Sequence, residues 1–171
     1  MDLMMIIFRL IHIFAGIIWV GAGFFMLLVL VPAVRSMDPN VPSVMGSAVF
    51  QKRFNRTMTL SALLTTLFGL ALYGEVSDGF NADWMSSDGG IVLSIGSLAG
   101  LLAFGHGAGA LGPLTNKIAR LGEALREQDG PPTAEQRAEL QALQAKNVRH
   151  AQISTVLLVI AVAGMAAARY M

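Results

Sequence analysis

An uncharged apolar run over residues 10–31, LIHIFAGIIWVGAGFFMLLVLV, constrains the fold of this chain more than any other feature. A helix rises about 1.5 Å per residue and the hydrocarbon core of a bilayer is about 30 Å thick, so this run is long enough to cross a membrane. The 171 residues are 54% hydrophobic and only 13% charged, whereas a soluble domain carries about 25% charged residues. We therefore expect an integral membrane protein with a single domain over residues 1–171.

Apolar segments cover four parts of the chain: residues 3–34, 57–74, 90–112 and 151–168. Four such segments predict an all-α, four-span, up-and-down helix bundle. Pro32 is expected to end the first span, and Gly112-Pro113 the third.

The connection between the third and fourth spans has a helical pattern of its own. Residues 114–128 repeat apolar side chains at helical spacing, and Gly130-Pro131-Pro132 then breaks the helix. Thr133 and Gln136 form a capping-box pattern. This pattern predicts a helix that runs into the fourth span, so the connection itself should be helical.

Charge is distributed unevenly among the three connections. The first and third contain lysines and arginines, with only Asp38 opposing them in the first, whereas the charged residues of the second are all acidic. The positive-inside rule places the basic connections in the cytoplasm and both termini outside. The basic residues are Arg35, Lys52, Arg53 and Arg56 in the first connection and Lys117, Arg120, Arg126, Arg137, Lys146 and Arg149 in the third; the acids are Glu75, Asp78, Asp83 and Asp88.

Cysteine is absent from the chain. Disulfides, thiolate metal sites and c-type haem attachment are therefore excluded. The composition points to the lipid bilayer as a partner, and we expect no nucleic-acid partner.

The first span carries an imidazole and an indole that a simple anchor does not need. His12, Gly16, Trp19 and Gly23 fall within roughly 60° of one another around a helix. An ionisable residue inside a span indicates a functional site, which favours a ligand-binding or proton-handling role for His12. The alternative is that His12 forms a hydrogen bond with a neighbouring helix.

The other two histidines should lie close together in depth. His106 is near the inner end of the third span and His150 is at the inner start of the fourth, which puts them within about two helical turns of one depth. His12 should lie in the opposite half. Two imidazoles on facing helices suit bis-histidine ligation of a b-type haem. The surrounding glycines leave room for a macrocycle, but their GxxxG spacing equally favours tight packing within the chain or in a homodimer.

Two arginines at the start of the second span are candidates for anion binding. Arg53 and Arg56, beside Lys52, are placed to pair with haem propionates or with anionic lipid. Met58, one turn deeper, is an alternative axial ligand.

A second metal hypothesis concerns copper. Several thioethers and His12 are expected toward the outer face, and this soft donor set suits Cu(I). The methionines are Met4, Met5, Met85 and Met171.

Short patches resemble a known superfamily of small membrane proteins. Leu10-Ile-His12, six residues and then Trp19-Val-Gly21 resembles the first helix of the superfamily that includes the copper-resistance D proteins and the HemJ-type protoporphyrinogen oxidases. The stretch from Lys52 to Met58 resembles the entry to the second helix of the HemJ type. His106-Gly107 falls where that type has a histidine near the end of its third helix.

The resemblance implies a four-helix protein of a bacterial inner membrane that binds b haem and passes electrons to the respiratory chain. It implies His12 as a ligand with Trp19 beside it, Arg53 and Arg56 as anion anchors, and His106 as a second histidine. The chain departs from the HemJ type because it has no lysine between Lys52 and Lys117 and begins its fourth span differently. An uncharacterised sister group of the superfamily fits these departures.

The sequence therefore predicts a b-type haem protein that transfers electrons within the membrane, to or from quinone or another redox partner. Its candidate cofactor residues are His12, Trp19, Arg53, Arg56, His106 and His150, of which the three histidines are candidate iron ligands. An oxidoreductase activity is open, and no catalytic residue is assigned. A copper-handling protein and a haem-free structural or assembly subunit are the alternatives.

Overall fold

The computed structural model describes residues 3–36 and 48–171, which are helical nearly throughout and contain no strand. Residues 37–47 of the first connection, including Asp38, lie outside the described residues. Four stretches are long and apolar enough to cross a membrane: Leu3–Val34, Val49–Val76, Asp88–Glu127 and Ala134–Tyr170. The helices are α1 (Leu3–Phe25), α2 (Val31–Arg35), α3 (Ala48–Val76), α4 (Ala82–Met85), α5 (Asp88–His106), α6 (Gly112–Glu127) and α7 (Ala134–Ala167).

The first apolar stretch ends at Val34, close to Pro32 as expected, and its helix ends at Arg35. The expectation that Gly112-Pro113 ends the third span is wrong, because that stretch continues to Glu127. The chain stays helical through Pro32 and Pro113, because a π-helical turn precedes each of them, over Met26–Leu30 and Gly107–Leu111. The residue before each proline donates its N–H to the carbonyl five residues back. This wider turn accommodates a residue that lacks an N–H and whose ring crowds the preceding turn.

The predicted start of the last helix is confirmed. The Thr133 hydroxyl accepts a hydrogen bond from the Gln136 N–H, and the Gln136 side chain accepts one from the Thr133 N–H. From this capping box α7 continues without interruption to Ala167. Because α6 follows the third span directly, the connection between the two apolar stretches is helical on both sides, with a break near Gly130.

Small residues occupy the buried positions, while large apolar residues face outward. The buried set consists of alanines, serines, glycines and Leu158. Phe14 is 63% exposed and Val156 is 59% exposed. A soluble protein would bury such side chains, so this distribution suits a molecule surrounded by lipid.

The long helices pack as two antiparallel pairs. In the first pair, Phe8 of α1 lies edge-on to Phe68 of α3, with ring centroids 5.1 Å apart. In the second pair, a methyl group at Gly164 of α7 would lie 2.8 Å from Cα of Gly96 in α5. The α5–α7 contact therefore needs glycine on both sides, and Gly96 of the GxxxG pattern Gly96–Gly100 serves packing within the chain.

The two ends of the molecule differ in charge. The acidic end is where α3 ends and α5 begins, around Glu75 and Asp88, and the basic end is where α3 begins and α6 extends.

Candidate functional site

A cavity of about 770 Å³ lies among α1, α3, α5 and α7 in the half of the molecule nearer the acidic end. We call it the His12 cavity. Its lining includes two residues predicted from the sequence, His12 and Trp19. It is also lined by Arg9, Thr65, Gly69, Tyr73, Trp84 and Arg169. Cofactor sites in proteins typically enclose about 300–1,000 Å³, so this volume suits a cofactor or a similarly large ligand.

The hydrogen bond of His12 determines which ring nitrogen carries the proton. Nδ1 of His12 lies 2.8 Å from the backbone carbonyl oxygen of Thr65, so the predicted alternative of a hydrogen bond with a neighbouring helix is confirmed. A carbonyl oxygen only accepts hydrogen bonds, so Nδ1 is the donor and holds the proton. In the neutral ring, Nε2 then keeps its lone pair. A backbone carbonyl that orients imidazole in this way is the usual arrangement behind a histidine that ligates a metal through its other nitrogen.

Gly69 makes room for this imidazole on α3. A methyl group at residue 69 would lie 2.8 Å from Cε1 of His12 and 2.9 Å from Nδ1, but 4.0 Å from Nε2. Any larger residue would therefore displace the ring from its position beside Thr65. Of the two ring nitrogens of His12, Nε2 lies farther from residue 69 of α3, on the side of the ring away from the Thr65 hydrogen bond.

Two arginines contribute to the wall of the His12 cavity. Arg9 comes from α1 and Arg169 from the turn after α7, and both are exposed. Neither guanidinium forms an ion pair with any residue in the described ranges 3–36 and 48–171. The cavity therefore combines an imidazole with two cationic groups, of which Arg169 also lies over the Tyr170 ring at 5.3 Å from its centroid.

Aromatic side chains bound the cavity along its length. Trp19 lies about 10 Å along α1 from His12 and packs edge-on to Phe104, with centroids 6.5 Å apart. Toward the acidic end, Tyr73 lies edge-on to Trp84 at 5.8 Å. The Tyr73 hydroxyl donates to Ser94 Oγ at 2.6 Å, because Ser94 itself donates to the Gly90 carbonyl.

His106 and His150 meet in the half of the molecule nearer the basic end, which confirms the prediction that they lie at a similar depth. Nε2 of His106 lies 2.9 Å from Nδ1 of His150. Nδ1 of His106 lies 2.9 Å from Oγ of Ser154. Metal–imidazole bonds are about 2.0–2.1 Å, so two trans ligands of one iron stand about 4 Å apart. The imidazoles of this pair bind each other, and bis-histidine ligation would require them to separate by about 1 Å.

Arg53 and Arg56 do not line the His12 cavity. They line a separate groove of about 660 Å³ between α1 and α3, with Phe14, Ile18 and Leu60 among its apolar walls. The predicted role as anchors for propionates in a histidine site therefore has no geometric support here.

The remaining candidates lie outside the His12 cavity. A methyl group at Gly16 would contact Thr65 Cγ2 at 3.6 Å, so Gly16 faces α3, and Gly23 has open space around it. Met58 and the four methionines of the copper hypothesis do not line the cavity. The described residues contain no group of three or more His, Asp or Glu side chains that could hold a metal ion.

Comparison with known proteins adds no relative: no family model, no curated protein and no solved structure matches the chain.

Reasoning from the sequence missed several residues of this cavity. Arg9 and Arg169 appeared as isolated cations near the ends of spans, a position that usually indicates a side chain extending to the membrane surface. Thr65 acts through its carbonyl and Gly69 through the absence of a side chain. Neither property has a sequence signal.

Proposed function

We propose that this protein is a four-span membrane protein of the bundle type that binds a b-type haem in the His12 cavity and transfers electrons within the membrane, to or from quinone. His12 would hold such a group through Nε2. A haem supplies one-electron redox chemistry when bound.

One observation carries the proposal, namely the hydrogen bond from His12 Nδ1 to the Thr65 carbonyl. In the neutral ring it places the proton on Nδ1 and leaves the lone pair on Nε2, and it holds the ring in a single orientation beside Gly69. A ligating nitrogen needs both properties. An imidazole kept only for packing would need no cavity next to it, whereas His12 lines one of about 770 Å³.

The other residues that line the cavity match the carboxylates and the macrocycle of a haem. Arg9 and Arg169 present guanidinium groups that suit the two carboxylates of a haem, since arginine pairs with carboxylates through charge-assisted hydrogen bonds. Trp19 offers a flat apolar surface to a macrocycle. The apolar wall restricts water around the group, and both this restriction and hydrogen bonds near the ligand tune a redox potential.

The test is the absorption spectrum and haem content of protein purified in detergent after haem-replete expression. Wild-type protein should show a Soret band and about one haem per chain, and His12→Ala protein should lose most of the haem. His150→Ala is the matched control, because His150 lies outside the cavity, and it should retain haem.

Two results would contradict the proposal. One is wild-type protein that stays colourless after haem-replete expression and after reconstitution with haem. The other is His12→Ala protein with the wild-type spectrum. Loss of haem from the His106 and His150 variants alone would instead assign ligation to that pair.

A further inference from the structure

The groove between α1 and α3 that contains Arg53 and Arg56 is a second site, separate from the His12 cavity. It has a volume of about 660 Å³ and is open toward the outside of the molecule. Its apolar walls come from Ile11, Phe14 and Ile18 of α1 and from Leu60 and Leu64 of α3. Phe14 is 63% exposed, Leu60 is 50% exposed and Ile18 is 47% exposed, so these walls face whatever surrounds the protein.

The polar end of the groove is cationic. Arg53 and Arg56 both line it and lie three residues apart on α3, which places them on one side of that helix. Neither forms an ion pair or a hydrogen bond with the described residues of the chain. Two cationic groups at one end of an apolar groove complement an amphiphile with an anionic head and a hydrocarbon tail.

The position of these arginines along α3 indicates which kind of amphiphile the groove complements. No charged residue occurs between Arg56 and Glu75. That uncharged run of residues 57–74 spans about 27 Å, close to the roughly 30 Å hydrocarbon core. Arg56 and Arg53 therefore lie at the depth of lipid phosphates, and the apolar part of the groove lies at the depth of acyl chains.

We propose that this groove binds a membrane phospholipid, with its phosphate held by Arg53 and Arg56 and one acyl chain lying between α1 and α3. The polar side chain of Thr57 lines the same end of the groove. The site does not depend on the His12 cavity, so it stands whether or not that cavity holds haem.

The test is native mass spectrometry of the detergent-purified protein with three probes: phosphatidylglycerol, diacylglycerol with the same chains, and glycerol phosphate. Phosphatidylglycerol should remain bound to the wild-type protein, because it alone supplies both the phosphate and the acyl chain. Each of Arg53→Gln and Arg56→Gln should weaken its binding about fivefold. Lys52→Gln is the matched control, because Lys52 is exposed and does not line the groove.

A second pair of variants tests the apolar part of the site. Leu60→Trp should fill the groove and reduce retention several-fold. Leu67→Trp, on the same side of α3 but outside the groove, should not. Equal retention in the arginine variants and in Lys52→Gln would overturn the proposal, as would diacylglycerol that binds as well as phosphatidylglycerol. Binding of glycerol phosphate alone would show an ion site without a lipid and would also overturn it.

Discussion

The imidazole of His12 lies against the backbone of Gly69, with Cε1 only 2.8 Å from where a methyl group at that position would stand. The ring is thereby held beside the Thr65 carbonyl, to which Nδ1 donates at 2.8 Å. Two features of α3, a missing side chain and a main-chain oxygen, thus determine the position of the only histidine that lines the His12 cavity.

Gly69→Val should therefore displace His12. Branched carbon atoms at residue 69 cannot share space with the ring, and crowding of this kind costs about 1–3 kcal/mol of stability or excludes a bound ligand. We expect haem content to fall strongly while the protein stays folded, as measured by the pyridine haemochrome assay beside circular dichroism. Gly74→Val on the same helix has open space and should retain haem. Equal haem content in both variants would show that His12 does not hold the group.

Arg9→Gln and Arg169→Gln should weaken haem binding without abolishing it. Both residues line the cavity and are exposed, so solvent screens their interaction and each should contribute about fivefold in affinity. Haem titration of apoprotein at about 0.1 M and about 1 M salt measures this, since ion pairs weaken with ionic strength. The charge control is Lys146→Gln. A wild-type affinity that does not depend on salt would argue against carboxylates at these residues.

His150→Leu should destabilise the protein while leaving the His12 cavity intact. The substitution removes the partner of His106 Nε2, which lies 2.9 Å away in a partly buried position. A polar group left without a partner costs about 1–3 kcal/mol. We expect a lower melting temperature in detergent with unchanged haem content, and Arg149→Gln, which is exposed, should melt like wild type. An unchanged melting temperature for His150→Leu would show that the imidazole pair adds nothing to stability.

Gly164→Ala should loosen the α5–α7 pair. The added methyl group would lie 2.8 Å from Cα of Gly96 and 3.0 Å from the carbonyl oxygen of Val92. Both contacts are to backbone, so the helices must move apart, at a cost of about 1–3 kcal/mol. Gly105→Ala is the control on α5, because no neighbouring atom lies within 4 Å of where its methyl group would stand. The measurement is the melting temperature of both variants in detergent. A Gly164→Ala protein as stable as Gly105→Ala would contradict close packing of α5 against α7.

Membrane orientation is predicted by charge alone. A reporter fused near Asp83 should be active outside the cytoplasm, and one fused near Arg126 should be active inside it, because lysine and arginine concentrate in the first and third connections. If a cytoplasm-specific reporter fused near Asp83 is active, all four spans have the opposite orientation.

The sequence by itself determined the helical class and the four apolar stretches, because length and hydropathy are local properties of the chain. It also determined the capping box at Thr133, since that motif depends on residues three apart. The rough depth of the histidines followed from counting residues along helices of known rise, and His106 indeed meets His150. The end of the third span at Gly112-Pro113 was predicted wrongly, because the π turn that carries the helix past Pro113 depends on main-chain bonding that the sequence does not signal.

Only the tertiary structure decided which residues share a site. Residue counting gives a depth along the molecule but not the angle at which one helix faces another. His12 therefore came to lie beside Gly69, Arg9 and Arg169 rather than beside Arg53 and Arg56. The rotation of each helix about its axis is set by close packing at small residues such as Gly96 and Gly164, and that packing exists only once the helices have come together.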